Sequence, residues 1–129
     1  MVQIPIEAMD LKEKYSRLPS NNRMVLKVKN KEEFDRLINT PDKLVIVEFY
    51  APWCGPCRMI GPKVDKLADE LPDILFVKVD VDDASCEEVI EDYDIKVMPT
   101  FYFIKNGETI ALHEGNNYDA LVEVVNEHK

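Results

Sequence analysis

The sequence predicts one α/β domain, in which helices cover both faces of a single sheet. Two almost uninterrupted apolar runs, Leu44–Tyr50 and Ile74–Val81, are typical of strands that are buried on both sides. Amphipathic helical patterns alternate with these runs. The dipeptide Asn106-Gly107, between two shorter apolar runs, predicts a β-hairpin. The expected architecture is therefore a sheet with a mostly parallel half and an antiparallel hairpin half.

The first elements follow from capping signals and apolar spacing. A short strand is predicted at Met24–Val28, and a helix begins at Asn30. Glu33 lies three residues after Asn30, which resembles a capping box. After the strand Leu44–Tyr50, apolar residues spaced as on one helix face predict a second helix. These residues are Ile60, Val64, Leu67 and Leu71.

The later elements complete the alternation of strands and helices. Ile74–Val81 is a strand, and Ser85 with Glu88 predicts a capping box that opens the third helix. The hairpin strands are Thr100–Ile104 and Thr109–His113. A last helix presents one apolar side, and its apolar residues are Tyr118, Leu121, Val122 and Val125. The predicted order is β-α-β-α-β-α-β-β-α.

Residues 1–23 form an extension that precedes the domain at 24–129. Its last part, "LPSNNR", has the composition of a linker. Its apolar residues follow one stripe of a helix, and they are Ile4, Ala8, Leu11, Tyr15 and Leu18. We interpret the extension as a helix lying on the domain or a partly frayed tail; a docking helix for a partner is the alternative.

Composition excludes several classes of protein. The 129 residues are 46% apolar and carry a net charge of −9, which disfavours binding to nucleic acid and to anionic membranes. No apolar run approaches the roughly eighteen residues needed to span a bilayer. The N-terminus has no pattern of a signal or transit peptide, so we expect a cytoplasmic protein, although secretion by a signal-independent route stays open. Cytoplasmic thiols are kept reduced, and a close cysteine pair is then more often catalytic or metal-binding than structural.

Such a pair occurs in Trp53-Cys54-Gly55-Pro56-Cys57, between a predicted central strand and a helix. The N–H groups and dipole at a helix N-terminus favour a thiolate, so we expect Cys54 to be the nucleophile and the more exposed thiol. Cys57, one turn further, should be more shielded and should resolve the mixed disulfide. Pro56 suits the first helical position, and Gly55 permits the close approach of an incoming disulfide.

Metal binding is the main alternative chemistry for the pair. A structural zinc site normally needs two further ligands. The remaining candidates are only Cys86, His113 and His128, without a second pair of close cysteines or histidines. We therefore expect no metal site.

Glu48 and Lys78 are charged residues within the two apolar strand runs. Burial of the Glu48 carboxyl would raise its pKa towards neutrality, and it could then act as general base for Cys57. The alternative is an acid at the rim of the sheet, already in water. Lys78 could be the partner of Glu48, or a surface lysine whose stem lies along the apolar surface.

With these residues placed, the sequence resembles the thioredoxin family from about Met24 to the C-terminus. The WCGPC of Trp53–Cys57 is that family's active-site motif. Further matches are Pro62, Met98-Pro99-Thr100 as the cis-proline loop, Lys105-Asn106-Gly107 and Gly115. The resemblance implies the thioredoxin fold, a central mixed five-stranded sheet in the order 1-3-2-4-5 flanked by four helices.

The resemblance also implies a function. It implies a protein-disulfide reductase in which Cys54 and Cys57 form the redox-active disulfide and Glu48 and Lys78 assist them. Electrons would come from NADPH through thioredoxin reductase, with no cofactor bound to a monomeric chain. Disulfide-containing proteins such as peroxiredoxins would be the substrates. The substrate-facing residues would be Trp53, Gly55, Pro56, Met98, Pro99 and Gly115.

Three features depart from the family pattern. The connection between Asp82 and Met98 is two residues longer than the usual family spacing, which should enlarge the third helix or its entry. Glu48 stands where many members have aspartate, which moves the carboxyl by about 1.5 Å. Cys86 lies at a predicted helix N-terminus, but the surrounding acids Asp82, Asp83, Glu87 and Glu88 predict an ordinary protonated thiol that mild peroxide leaves intact. An oxidative dimer or modification site is the alternative for Cys86.

Two other functions stay open. A foldase of an organelle or of the secretory route could use the same motif, although Gly-Pro between the cysteines favours the reducing enzymes. The second is a non-enzymatic module that binds a partner in its dithiol form and releases it as a disulfide.

Overall fold

The computed structural model of the chain describes residues 25–129. The predicted extension at residues 1–23, and Met24 at the start of the first predicted strand, lie outside the described residues. Within the described part, no helix is both long and apolar enough to cross a membrane.

The described residues form five strands and four α-helices in the predicted order. The strands are Leu26–Lys27 (β1), Leu44–Tyr50 (β2), Leu75–Asp80 (β3), Thr100–Lys105 (β4) and Glu108–Glu114 (β5). The helices are Lys31–Ile38 (α1), Gly55–Glu70 (α2), Glu87–Glu91 (α3) and Tyr118–His128 (α4). The bounds of β2 are those predicted, whereas β1 is shorter than the apolar run that predicted it.

The strands form one mixed sheet in the order β1-β3-β2-β4-β5, which confirms the expected thioredoxin fold. β1, β3 and β2 are parallel, while β4 is antiparallel to β2 and β5 is antiparallel to β4. The central strand β2 is thus hydrogen-bonded on both sides. Its carboxyl end leads into α2, at the position that the sequence predicts for the cysteine pair.

Helices cover both faces of this sheet, because successive side chains of a strand point to opposite faces. Phe49 and the other odd-numbered buried residues of β2 pack with α1 and α3. Ile46 and the even-numbered Leu44 pack with α2 and α4 on the opposite face. Glu48, also even-numbered, therefore belongs to the face that α2 covers.

The start of α1 agrees in part with the predicted capping box. The Asn30 side chain accepts a hydrogen bond from the Glu33 N–H at 2.9 Å, as expected of an N-cap. The Glu33 carboxylate accepts from the N–H of Lys29 at 3.1 Å, one residue before the predicted donor.

The predicted capping box of Ser85 and Glu88 is wrong. The segment Ala84–Cys86 is a short 3₁₀ turn whose N-cap is Asp83, and the Asp83 carboxylate accepts from the Ser85 N–H at 2.9 Å. The α-helix begins only at Glu87, without a side-chain cap. Asp83 caps the segment in place of Ser85, because its carboxylate reaches the N–H two residues further along the chain. Ser85 therefore lies inside the turn and not at its start.

The β4–β5 hairpin has the turn that Asn106-Gly107 predicts, since both residues have positive φ, 51° and 81°. The tip is fastened to the end of α1 and to the turn that follows it. The Gly107 N–H donates to the Ile38 carbonyl at 3.0 Å, and the Asn106 side chain accepts from the Asp42 N–H at 2.9 Å. A Cβ at Gly107 would lie 2.5 Å from Oδ1 of Asn39.

We expect Gly107→Ala to lower the free energy of unfolding by about 2–3 kcal/mol, because it combines an unfavourable φ with a clash against Asn39. Urea denaturation measures this loss. Gly115→Ala is the matched control, since Gly115 also has a positive φ, 95°, but open space around its Cβ position. It should cost about 1 kcal/mol. Equal losses in the two variants would show that Asn39 moves aside freely.

Candidate functional site

The cysteine pair lies where β2 passes into α2. Cys54 is the N-cap of α2, and Cys57 lies in its first turn. The two Sγ atoms are 2.6 Å apart, and both cysteines are free thiols. A disulfide bond is about 2.05 Å long, so the pair can close with little movement of the backbone.

Exposure does not separate the two cysteines. We expected Cys54 to be the more exposed, but each residue is only 5% exposed, because Ala51, Tyr50, Val81 and Met98 pack around the pair. The asymmetry between the thiols comes instead from their hydrogen bonds and from the groups behind them.

The Cys54 sulfur takes part in three contacts with polar groups. It accepts a hydrogen bond from the Cys57 N–H at 3.3 Å and one from the Cys57 thiol. The Cys54 thiol also faces the carbonyl oxygen of Met98 at 3.8 Å. Donors at the start of a helix stabilise negative charge that develops on the group they face, so this sulfur is placed to act as the nucleophile.

Gly55 and Pro56 form the start of α2 between the two cysteines. Gly55 is the first helical residue, so Pro56 is the second and not the first as predicted. The shift has no cost, because the second N–H of a helix also lacks an intrahelical acceptor. A Cβ at Gly55 would meet nothing within 4 Å, so the fold itself leaves this position open.

Three loops meet at the cysteines. The Met98-Pro99 peptide is cis, as expected, and it directly precedes β4. The Gly115 N–H, directly after β5, donates to the Pro99 carbonyl at 2.8 Å. Both loops therefore lie beside the start of α2, and the structure brings Met98, Pro99 and Gly115 together with Cys54.

Glu48 is buried on the α2-covered face of the sheet, with 6% of the residue exposed. Burial raises the pKa of its carboxyl to about 7; the charge of Lys78 opposes this shift and that of Asp65 adds to it. The alternative of a solvated acid at the sheet rim is therefore wrong. The apolar run around Glu48 favours its burial, but the sequence does not indicate the proximity of Asp65 on α2.

Lys78 lies beside Glu48 in register on β3. Its ammonium lies 5.2 Å from the centre of the Tyr50 ring, and the ion pairs between described residues do not join it to Glu48. Lys78 therefore influences Glu48 at longer range than a salt bridge.

Cys57 differs electrostatically from an ordinary thiol. Burial first, then the hydrogen bond to Cys54 and the negative charge of Glu48, raise the pKa of the Cys57 thiol well above its usual range. It is thus a protonated thiol at neutral pH and needs a base before it can attack a disulfide.

Cys86 lies apart from this pair, fully buried, with its thiol 3.5 Å from the Val28 carbonyl. Burial and the charges of Asp83 and Asp80 raise its pKa. This direction agrees with the expectation of a protonated thiol, with burial as the larger cause.

Asp82 is a site residue that the sequence analysis missed. Its carboxylate accepts a hydrogen bond from the indole N–H of Trp53, whose side chain is 65% exposed. Asp82 follows β3 closely, and the carboxyl ends of neighbouring parallel strands meet at one edge of a sheet. That topology was the signal that could have placed Asp82 next to the residues after β2.

The comparisons with known proteins agree with this geometry. The family model for thioredoxin matches residues 25–127. The thioredoxin of Ictalurus punctatus is 44% identical, over 82% of this chain and 100% of that protein. The X-ray structure of Fasciola hepatica thioredoxin is 42% identical with a TM-score of 0.76, covering 81% of this chain and 99% of that one.

A further solved chain comes from work on the thiol-resolving mechanism of yeast mitochondrial 1-Cys peroxiredoxin via glutathione/thioredoxin systems. It is 35% identical with a TM-score of 0.72, covering 80% of this chain and 94% of that one. The strand order, the paired cysteines and these matches lead to one conclusion: the chain belongs to the thioredoxin family.

Proposed function

We propose that this thiol–disulfide oxidoreductase is a protein-disulfide reductase that carries electrons from NADPH, through thioredoxin reductase, to disulfide-containing proteins. The observation that carries the proposal is the arrangement of two free sulfurs 2.6 Å apart at a helix N-terminus, with a buried carboxyl of pKa about 7 acting on the second sulfur.

The first step is an attack by Cys54. Its thiolate bonds to one sulfur of the substrate disulfide, the substrate S–S bond breaks, and the other substrate sulfur leaves as a thiolate that takes up a proton. The hydrogen bond from the Cys57 N–H positions the Cys54 sulfur at the N-terminus of α2 for this attack. The product is a mixed disulfide between Cys54 and the substrate.

The second step is resolution by Cys57. Glu48 in its ionised form accepts the proton of the Cys57 thiol, directly or through water. The Cys57 sulfur then attacks the Cys54 sulfur, the mixed disulfide breaks, and the substrate leaves reduced. Two electrons have passed to the substrate, and Cys54 and Cys57 end as a disulfide that a reductase must reopen.

Substrate binding is proposed for the rim around Cys54. Trp53, Pro56 and the Met98-Pro99 loop provide an apolar surface, and an extended substrate segment could pair with the Met98 backbone by β-augmentation. The open space at Gly55 and at Gly115 would let the substrate backbone come close.

The partners are proposals of the same kind. Thioredoxin reductase would supply the electrons, and peroxiredoxins are candidate substrates, supported by the related chain from the work on a peroxiredoxin. We propose a monomer that holds no cofactor and acts in the cytoplasm. Consumption of NADPH in a mixture of the chain, a thioredoxin reductase and insulin tests electron supply and direction together.

Cys57→Ser should reduce insulin turnover by about a hundredfold or more, because the mixed disulfide on Cys54 then has no internal thiol to resolve it. Turbidity of insulin with dithiothreitol measures the rate. Cys86→Ser is the matched control and should keep normal turnover, since Cys86 is buried away from the pair. Normal turnover by Cys57→Ser would contradict the two-thiol mechanism and favour a binding module.

Glu48→Gln should slow resolution at neutral pH by about ten- to a hundredfold, since Gln cannot accept the Cys57 proton. In the wild type the rate of release of the mixed disulfide should rise with pH through about 7, as Glu48 loses its proton. The release rate of Glu48→Gln should not show this rise with pH. Asp69→Asn removes an exposed carboxyl from α2, the helix that carries Cys57, and serves as control. A variant with the wild-type pH profile would exclude Glu48 as the base.

The raised pKa of Glu48 also makes stability depend on pH. The folded chain keeps the Glu48 proton up to about pH 7, whereas the unfolded chain loses it near 4.5, so the free energy of unfolding falls as pH rises through this window. The loss corresponds to about 3 kcal/mol. Denaturation at pH 5 and pH 8 should show it in the wild type and not in Glu48→Gln.

His113 contributes the opposite slope, because burial lowers its pKa, so the fold loses stability as pH falls. His113 is present in both the wild type and Glu48→Gln, so its effect on the free energy of unfolding cancels when their pH profiles are compared. Parallel pH profiles for the two proteins would mean that Glu48 ionises as easily in the fold as in water.

A further inference from the structure

Met59 is an exposed methionine beside the cysteine pair that the mechanism above does not use. It lies on α2, its side chain is 70% exposed, and the amide of Asn116 contacts its sulfur with Nδ2 at 3.8 Å. Pro56 precedes Met59 by three residues, so both lie on the same outer side of the helix. Contiguous exposed apolar surface marks an interaction site, and Met59 extends the apolar surface that Trp53 and Pro56 present.

The sheet order places the contact between Met59 and Asn116 at one edge of the proposed substrate surface. Trp53 is held on the β3 side of β2 by Asp82, whereas Asn116 follows β5 on the other side. Asn116 is the neighbour of Gly115, whose N–H holds the Pro99 carbonyl. Met59 and Asn116 therefore close the surface on the side opposite to Trp53.

We propose that Met59 is a reversible oxidation site that weakens the use of protein substrates when it is oxidised; this rests on the proposed reductase function. A hydroperoxide would transfer one oxygen atom to the thioether: the O–O bond breaks, an S=O bond forms, the sulfur loses two electrons, and water or an alcohol leaves. A methionine sulfoxide reductase, using two thiols, would reverse the step and release water.

Oxidation changes the chemistry of this border. A thioether is a weak hydrogen-bond acceptor in an apolar side chain, whereas a sulfoxide is polar and accepts strongly. The Asn116 amide already points at the sulfur and can donate to the new oxygen. A protein substrate would then have to cover the sulfoxide and the Asn116 amide, which are both polar, in place of an apolar side chain. Burying these polar groups costs binding free energy.

The other sulfur atoms of the described residues are better protected. Met98, the second methionine of the described residues, is partly buried against the cysteines. Cys54 and Cys57 are shielded from peroxide when they form their disulfide. Cys86 is fully buried, and its protonated thiol reacts slowly.

The test begins with the full chain in its disulfide form, treated with dilute hydrogen peroxide and then digested for peptide mapping. Met59 should gain about 16 Da at least several times faster than Met98, with Cys86 unmodified. Equal rates for Met59 and Met98 would overturn the proposal. This measurement does not depend on enzymatic activity, so it is separate from a failure of the proposed function.

Activity is then measured on the same samples, each relative to its own untreated protein. Insulin reduction by the wild type should fall about fivefold in kcat/KM, whereas reduction of a small aromatic disulfide changes little. Methionine sulfoxide reductases should restore the rate. In Met59→Leu, which cannot form a sulfoxide, treated and untreated samples should be equal. A wild type that keeps its insulin turnover with Met59 oxidised, or an equal loss in Met59→Leu, would overturn the proposal.

Asn116→Ala tests the role of the amide. Each of the two sulfoxide epimers is repaired by its own class of reductase, MsrA or MsrB. If Asn116 holds the sulfoxide oxygen, one class should repair most of the wild-type protein, and the bias should disappear in Asn116→Ala. Equal repair by both classes in the wild type would contradict the part assigned to Asn116.

Discussion

The hydrogen bond from the Cys57 N–H to the Cys54 sulfur, at the N-terminus of α2, is the interaction on which the rest of the site depends. It makes Cys54 the cap of the helix and at the same time the atom towards which the helix dipole points. Structure and reactivity are thus coupled, because the sulfur that accepts the hydrogen bond from the first turn of α2 is also the proposed nucleophile. The three-residue spacing keeps the second sulfur within reach.

The Glu48 carboxyl, and not a difference in burial, gives the two thiols different tasks. Cys54 and Cys57 are equally enclosed, yet only Cys57 has the Glu48 carboxyl behind it. The same low-dielectric surroundings raise the pKa of the thiol and of the acid, and they bring the acid into the range in which it can exchange a proton at neutral pH. The fold accepts a destabilising buried acid at the position where a proton must move, as is common at functional sites.

The mixed sheet brings residues from distant parts of the chain together around Cys54. The parallel strands β2 and β3 end at the same edge and bring Trp53 to Asp82. Because β4 and β5 are antiparallel to each other, the start of β4 and the end of β5 also meet there. The site therefore has a β3 side and a β5 side, and Met59 belongs to the latter.

The sequence by itself determined the order of strands and helices and the place of the cysteine pair, and it favoured the burial of Glu48, because these follow from local spacing and from continuous apolar runs. Resemblance to a family added the strand order. Only the tertiary structure decided which groups face each other: Asp82 with Trp53, Asp65 with Glu48, Asn116 with Met59, and Lys78 over Tyr50 instead of paired with Glu48. Such contacts join residues far apart in the chain, and the local periodicity of a sequence carries no information about the distance between two elements.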